Sequence, residues 1–122
     1  MKQLLIVDDQ PGIRLLLNEV FTKEGFQTFL ASNGIEALKI GECEPVDCVL
    51  LDMKIPGMDG LEILKRLKEN RPELPIIMMT AYGENELLEE AKGLGAMKIF
   101  SKPFNIFEVR EEVKKILLRT EK

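Results

Sequence analysis

Short apolar runs alternate along the chain with longer stretches whose apolar residues recur every three or four positions. The runs predict buried strands and the stretches predict amphipathic helices. The predicted strands are 3–7, 27–31, 47–51, 75–79 and 97–100, and the predicted helices are 11–24, 34–43, 60–70, 84–94 and 105–118.

This strict alternation is typical of βαβ units around a buried parallel sheet. With right-handed crossovers, the common doubly wound strand order is 2-1-3-4-5. We therefore predict an α/β fold: a five-stranded doubly wound parallel sheet flanked by five helices, a flavodoxin-like three-layer sandwich. Residues 1–122 fit one domain, and we expect no output domain beside it.

Four predicted strands end next to polar residues that suit phosphoryl chemistry. Because the carboxyl ends of parallel strands meet at one edge of a sheet, these residues are expected to lie together. The switch point of the predicted order lies between strands 1 and 3, where the carboxylates are found. The residues are Asp8 and Asp9, Asp52, Thr80, and Lys102 after Ser101.

The three carboxylates predict a divalent cation site. Two carboxylates about 5 Å apart repel by roughly 3 kcal/mol at an effective dielectric near 20, so the cluster needs neutralisation. Mg²⁺ prefers such oxygen ligands, and Mn²⁺ is an acceptable substitute. We assign Asp9 and Asp52 as direct ligands, Asp8 as a direct or water-mediated ligand, and Lys54 as a ligand through its backbone carbonyl.

Asp52 is the predicted nucleophile, because a carboxylate can attack phosphorus and form an aspartyl phosphate. Lys102 would contribute a positive charge to a phosphoryl oxygen, and Thr80 a hydroxyl donor. The bond from Lys102 to Pro103 is compatible with a cis peptide. Taken alone, several of these residues also have a structural explanation: helix capping for Asp8, Asp9 and Thr80, and an ordinary surface position for Lys102.

Composition excludes several functional classes. The net charge of −4 and the lack of a basic cluster argue against nucleic-acid binding. No apolar run is long enough for a membrane span, so a cytoplasmic protein is expected. The chain contains no histidine, so any phosphohistidine must belong to a partner. Cys43 and Cys48 fit no zinc spacing and are expected to be reduced.

The chain resembles the response-regulator receiver domains. The motifs that carry the resemblance are VDDQ (7–10), LLDMKIPGMDG (50–60), MMTAYG (78–83) and SKPF (101–104). The resemblance implies magnesium-dependent phosphorylation of Asp52, with Thr80 and Lys102 contacting the phosphoryl group. It also implies that Tyr82 is a switch residue, which changes between buried and exposed as Thr80 moves.

Residues 8–34 and 50–68 resemble, within this family, the stand-alone receivers of the sporulation phosphorelay of endospore-forming bacteria. That resemblance implies a phosphotransferase that accepts a phosphoryl group from a sensor histidine kinase and passes it to a histidine phosphotransferase. A response-regulator aspartate phosphatase is a further implied partner. The alternative is a signalling receiver that binds a target when phosphorylated and transfers nothing onward. A small-molecule phosphatase is disfavoured, because Lys54 stands where such enzymes usually carry a second acid.

The first predicted helix has more apolar positions than one buried stripe needs, since Leu15 lies roughly opposite the direction shared by Ile13, Leu17 and Val20. We expect some of this apolar surface to remain exposed for a partner helix, on a protein that is otherwise a monomer. Alternatively, the extra residues pack against neighbouring loops or helices. The predicted partner-binding residues are Gln10, Gly12, Ile13 and Leu16, with Pro56, Phe104 and Asn105 across the rim.

Overall fold

The structure is a computed structural model that describes residues 2–55, 57–80 and 85–119, without the side chains of 85–87 and 119. Strands and helices alternate throughout. The strands are β1 (Gln3–Val7), β2 (Gln27–Ala31), β3 (Cys48–Asp52), β4 (Ile76–Thr80) and β5 (Lys98–Ser101). The helices are α1 (Pro11–Lys23), α2 (Gly34–Cys43), α3 (Gly60–Asn70), α4 (Asn85–Gly93) and α5 (Ile106–Arg119).

The strands form one parallel sheet in the order β2-β1-β3-β4-β5, which confirms the predicted topology. Alternate residues of each strand face opposite sides of the sheet. On one side, Leu4 and Leu50 pack with Leu17 of α1 and Val113 of α5. The opposite side packs against α2, α3 and α4. The central strands β1 and β3 are therefore covered on both faces, as their continuous apolar runs indicate.

The last three strands end one residue later than predicted. Asp52 is aligned with Met79 in the ladder, and Thr80 is aligned with Ser101. These polar residues are the final members of their strands rather than the first residues after them. The regular strand backbone therefore fixes the directions in which these side chains extend.

Local signals at the helix ends explain where the helices begin and end. The side chain of Asn33 accepts the Glu36 N–H and caps α2, and the side chain of Asp59 accepts two N–H groups at the start of α3. After α1, Gly25 adopts φ 92°, which ends the helix in the left-handed conformation that favours glycine.

Among the glycines that the structure describes, Gly60 is the one that other backbone atoms approach most closely. A Cβ at this position would lie 2.6 Å from the carbonyl oxygen of Met53 and 2.7 Å from its Cα. The Gly60 N–H donates to the same carbonyl at 2.8 Å, so the loop after Asp52 closes directly onto the start of α3.

Replacement of Gly60 by alanine is expected to lower the free energy of unfolding by about 2–3 kcal/mol, because backbone atoms cannot move aside as a flexible side chain can. Urea titration measures this change. Gly12→Ala is the matched control, since nothing lies within 4 Å of a Cβ there, and a gain of about 0.5 kcal/mol is expected. Equal effects of the two substitutions would contradict the close approach.

Among the described residues, no helix combines the length and the apolar character needed to cross a membrane.

Candidate active site

Three aspartates from two neighbouring strands meet at the carboxyl edge of the sheet. Asp8 and Asp9 follow β1, Asp52 ends β3, and one carboxylate oxygen from each lies within 4.8 Å of the others. Their environments differ: the Asp8 side chain is fully buried, Asp52 is 5% exposed, and Asp9 is exposed. The sheet topology thus brings together the acidic residues that the sequence predicted to meet.

Lys102 neutralises part of this cluster. Its Nζ donates to Asp8 Oδ2 at 3.0 Å and to Asp52 Oδ2 at 3.1 Å. The Lys102 N–H also donates to the Thr80 carbonyl at 2.6 Å, so the residue after β5 is held to the end of β4. The Lys102–Pro103 peptide bond is cis. One ammonium therefore contacts two of the three carboxylates.

Asp8 is held on both sides of its carboxyl group. Oδ1 accepts the Gln10 N–H at 2.9 Å, while Oδ2 accepts the Lys102 ammonium. Its backbone N–H donates to the Ala31 carbonyl at 3.1 Å. Gln10 is the N-cap residue of α1 and makes no side-chain capping bond. Helix capping therefore accounts for one oxygen of Asp8 and leaves its bond to Lys102 unexplained.

Burial and neighbouring charges shift the pKa values of Asp52 and Lys102, which contact each other. It raises the pKa of Asp52, the Asp8 charge raises it further, and Lys102 opposes both effects. Burial lowers the pKa of Lys102, but the hydrogen bond to Asp8 and the charges of Asp52 and Asp8 more than reverse this, so its pKa is raised. Lys102 is therefore charged at neutral pH, and the folded protein bears a free-energy cost for ionising Asp52.

The raised pKa of Asp52 predicts a pH-dependent gain in stability for Asp52→Asn. A carboxyl whose folded pKa exceeds its unfolded value stabilises the fold below the unfolded pKa, and this contribution is lost as pH rises through the folded pKa. At pH 7 with a chelator present, Asp52→Asn should therefore have a higher Tm than the wild type. The difference should shrink as the pH is lowered towards 4. Calorimetry measures both.

Glu69→Gln is the control for this comparison, because it removes a carboxylate from the exposed surface of α3. Its Tm should differ little from that of the wild type across the same pH range. A lower Tm for Asp52→Asn at pH 7 would show that its attraction to Lys102 outweighs its burial.

Thr80 and Lys54 also lie at this edge. Thr80 is 2% exposed at the end of β4, and its carbonyl bonds to Lys102. The Lys54 N–H donates to Asp52 Oδ1 at 3.3 Å, so the chain turns closely around that carboxyl group.

Tyr82, the predicted switch residue, and Pro56 lie outside the described residues.

The donor set suits a hard divalent cation. Three carboxylates with oxygens within 4.8 Å face one ammonium, which leaves an excess of negative charge at a partly open edge. Hard cations such as magnesium bind carboxylate oxygens of this kind and keep several waters, which an exposed group such as Asp9 permits. The cluster can therefore hold a metal ion.

Arg14 belongs to the site, and the sequence interpretation missed it. Its Nη1 donates to the backbone carbonyl of Asp8 at 2.7 Å. The signal available in the sequence was an arginine in the first turn of a helix, where the helix dipole disfavours a positive charge. Such a residue calls for a local partner, and the Asp8 carbonyl provides it.

The residues predicted to bind partners differ in exposure. Gln10 and Gly12 are exposed. Leu16 is 43% exposed, and its neighbour Leu15 is 63% exposed. The expected apolar surface on α1 is therefore present. Ile13 and Phe104 are half-buried against the core beneath α1 and α5.

Asn105 has a structural role that the partner interpretation did not consider. Its Oδ1 accepts the Phe107 N–H at 2.9 Å, so its side chain caps the start of α5. Asn105 is nevertheless exposed, so it remains accessible at the rim.

Comparison with known families decides what kind of domain this is. Residues 4–114 match the response regulator receiver domain. The chain belongs to this family. The receiver is also similar to a solved response regulator receiver domain protein (CheY-like) from Methanospirillum hungatei JF-1. The two share 31% identity and a TM-score of 0.94, over 99% of this chain and 97% of that one.

Two curated relatives from Bacillus subtilis differ in how much of their length the receiver spans. It is 60% identical to sporulation initiation phosphotransferase F over 95% of this chain and 94% of that protein. It is 39% identical to the alkaline phosphatase synthesis transcriptional regulatory protein PhoP, of which it spans 50%. The first relative therefore matches along nearly its whole length, and the second along half.

Proposed function

We propose that this receiver is the intermediate of a phosphorelay that controls the initiation of sporulation. It accepts a phosphoryl group from a sensor histidine kinase onto Asp52 and passes it to a histidine phosphotransferase. The observation that carries the proposal is the nearly buried Asp52 carboxylate, which shares the Lys102 ammonium with Asp8. Similarity to a protein named a sporulation initiation phosphotransferase supports the choice of pathway.

The chemistry begins with an Asp52 carboxylate oxygen forming a bond to phosphorus. The bond from phosphorus to the donor's imidazole nitrogen breaks, and its electron pair stays on that nitrogen. Onward transfer is the same exchange in reverse, to a histidine of the next protein. Lys102, whose Nζ lies 3.1 Å from Asp52, is placed to neutralise charge on the phosphoryl oxygens. The Thr80 hydroxyl is the proposed donor to another oxygen.

Asp8, Asp9, Asp52 and the Lys54 carbonyl are the proposed ligands of Mg²⁺, for which Mn²⁺ can substitute. When bound, the ion neutralises phosphoryl charge and orients the reacting oxygens. Lys102 contributes to the same neutralisation through its contacts with Asp8 and Asp52. Tyr82 remains the proposed switch residue, responding to Thr80.

The surface at the start of α1 is the proposed docking surface for histidine-bearing partners. It comprises Gln10, which is the N-cap residue, and Gly12, Ile13 and Leu16 of the helix that begins beside the acidic cluster. Pro56, Phe104 and Asn105 are proposed to contact the partner across the rim. A partner helix that covers this surface would bring its histidine to Asp52 and exclude water from the site.

Leu16→Glu is expected to slow transfer to the histidine phosphotransferase by about tenfold, because it places a charge in an apolar contact. Phosphorylation by a small donor, which needs no docking, should be unchanged. Rapid-quench measurement of both reactions tests this. Leu118→Glu is the matched control, since Leu118 is 52% exposed near the far end of α5, and neither reaction should change. Equal transfer by both variants would remove α1 from the docking surface.

We further propose that the receiver acts as a monomer in the cytoplasm and binds neither nucleic acid nor membranes. Its similarity to sporulation initiation phosphotransferase F covers 94% of that protein, which supports a shared role for the receiver domain itself. A response-regulator aspartate phosphatase is the proposed partner that removes the phosphoryl group.

The deciding experiment follows one phosphoryl group. The protein is treated with magnesium and acetyl phosphate, freed of donor, and mixed with a purified histidine phosphotransferase. Intact-mass spectrometry should show a single adduct that leaves this protein and appears on the partner's histidine. An adduct that forms and stays would instead indicate a terminal signalling receiver. Absence of any adduct in the presence of bound magnesium would overturn both functions.

A further inference from the structure

Of the three carboxylates, Asp9 is the one whose orientation is least fixed by hydrogen bonds of the described residues. Asp8 is held through both carboxylate oxygens, and Asp52 is held by Lys102. Among the hydrogen bonds of the described residues, none fixes the exposed side chain of Asp9. A metal ligand that is free to rotate loses conformational entropy on binding, so the orientation of its backbone becomes important.

Arg14 supplies that orientation from the neighbouring peptide unit. The carbonyl that its Nη1 contacts at 2.7 Å belongs to the peptide bond between Asp8 and Asp9. Because a peptide unit is planar, holding its oxygen also fixes the direction of the Asp9 N–H and limits the position of the Asp9 Cα. A hydrogen bond from a charged donor is stronger and shorter than one between neutral groups.

The Glu36 carboxylate of α2 is a charged neighbour of Arg14. The Glu36 carboxylate accepts the Ser32 N–H at 2.7 Å and the Ser32 hydroxyl at 2.9 Å. Those bonds, and the nearby Arg14 charge, lower the pKa of Glu36 and keep it anionic. The observed hydrogen bond of Arg14 is the one to the Asp8 carbonyl, and the Glu36 charge adds a weaker, longer-range attraction.

We propose that Arg14 is a positioning residue for the cation site: by holding the carbonyl between Asp8 and Asp9, it presents the Asp9 carboxylate to a divalent cation. This inference rests on the proposed magnesium site. It predicts an effect opposite in sign to simple electrostatics. Removing a positive charge near three carboxylates should strengthen cation binding, whereas loss of the positioning bond should weaken it.

The test is titration calorimetry of Mg²⁺ into the wild type and Arg14→Met, which keeps the apolar stem but has no donor. We expect binding to weaken about tenfold, as for other residues that orient metal ligands. Arg14→Ala should weaken it similarly, so the result does not depend on one variant folding. Arg14→Lys retains a donor without the planar fork and should recover part of the affinity.

Lys23→Ala is the matched charge control. It removes one positive charge from the other end of the same helix, where Lys23 pairs with Glu19 on the exposed surface. Its magnesium affinity should change less than about twofold, because the charge is distant and screened. A tenfold loss in this variant as well would assign the effect to net charge and overturn the positioning role.

Two further measurements separate positioning from general destabilisation. In the cation-free protein, the Asp9 amide resonance should shift in Arg14→Met more than resonances of α3 do. With acetyl phosphate, the magnesium concentration for half-maximal phosphorylation should rise, while the rate at saturating magnesium should stay near that of the wild type.

The outcomes distinguish this inference from the function on which it rests. Wild-type binding with unchanged or tighter binding in Arg14→Met overturns the positioning role alone. Absence of magnesium binding to the wild type overturns the proposed cation site, and this inference with it.

Discussion

Asp52→Asn is expected to form no detectable phosphoryl adduct with acetyl phosphate, a loss of roughly 10³-fold or more. The amide has nearly the shape of the carboxylate but is not a nucleophile towards phosphorus. Because ionised Asp52 is unfavourable in its buried position, the variant should remain folded. Intact-mass spectrometry after a fixed reaction time measures the loss, and calorimetry confirms the fold.

Asp59→Asn is the matched control for this chemical change. Asp59 is exposed and caps α3, a task that asparagine performs about as well. This variant should form the adduct at the wild-type rate. An adduct of wild-type yield on Asp52→Asn would show that another residue is the nucleophile and would overturn the assignment of Asp52.

Lys102→Ala is expected to combine a loss of stability with a loss of reactivity. Without the ammonium, the buried Asp8 and Asp52 face each other uncompensated, because contacts of 3.0 Å and 3.1 Å are lost. Removing one partner of a buried ion pair costs about 3 kcal/mol of unfolding free energy. Phosphorylation should slow by about 100-fold even at saturating magnesium, since charge on the phosphoryl oxygens is no longer neutralised there.

Magnesium should reverse the loss of stability but not the loss of rate. A divalent cation replaces the missing positive charge, so the difference in unfolding free energy between Lys102→Ala and the wild type should shrink as magnesium is added. The variant should also bind magnesium more tightly, because no ammonium competes for the carboxylates. Urea titrations with and without magnesium measure the first effect, and calorimetry the second.

Lys114→Ala provides the comparison with an ordinary ion pair. Lys114 contacts Glu24 at 3.0 Å between α5 and α1, away from the acidic cluster, and both side chains are partly exposed. Loss of this ion pair should lower the free energy of unfolding by about 1 kcal/mol or less, with no dependence on magnesium. If Lys102→Ala were equally mild, the cluster would be stable without the ammonium, and Lys102 would serve only the reaction.

The sequence by itself determined the fold, the family and the composition of the site. The alternation of apolar runs with helical periodicity placed every element to within one residue at each end, because the strands are short, largely apolar runs that end next to polar residues. The polar residues at the strand ends predicted which side chains form the cluster, because the last residues of parallel strands lie at one edge of the sheet. The roles of those residues in phosphoryl transfer, and the partner-binding surface, stay predictions.

Only the tertiary structure decided how the site is arranged. Lys102 bonds to Asp8 and Asp52, which are 94 and 50 residues away in sequence, and no local pattern specifies such distances. It likewise decided that Asp52 is buried beside the Asp8 charge, and both effects raise the pKa of Asp52. Arg14 shows the same limit: a position in the first turn of a helix is visible in the sequence, but its contact with a carbonyl of the preceding loop depends on how that loop turns. Side-chain contacts between separate elements follow from packing, which periodicity along one element does not contain.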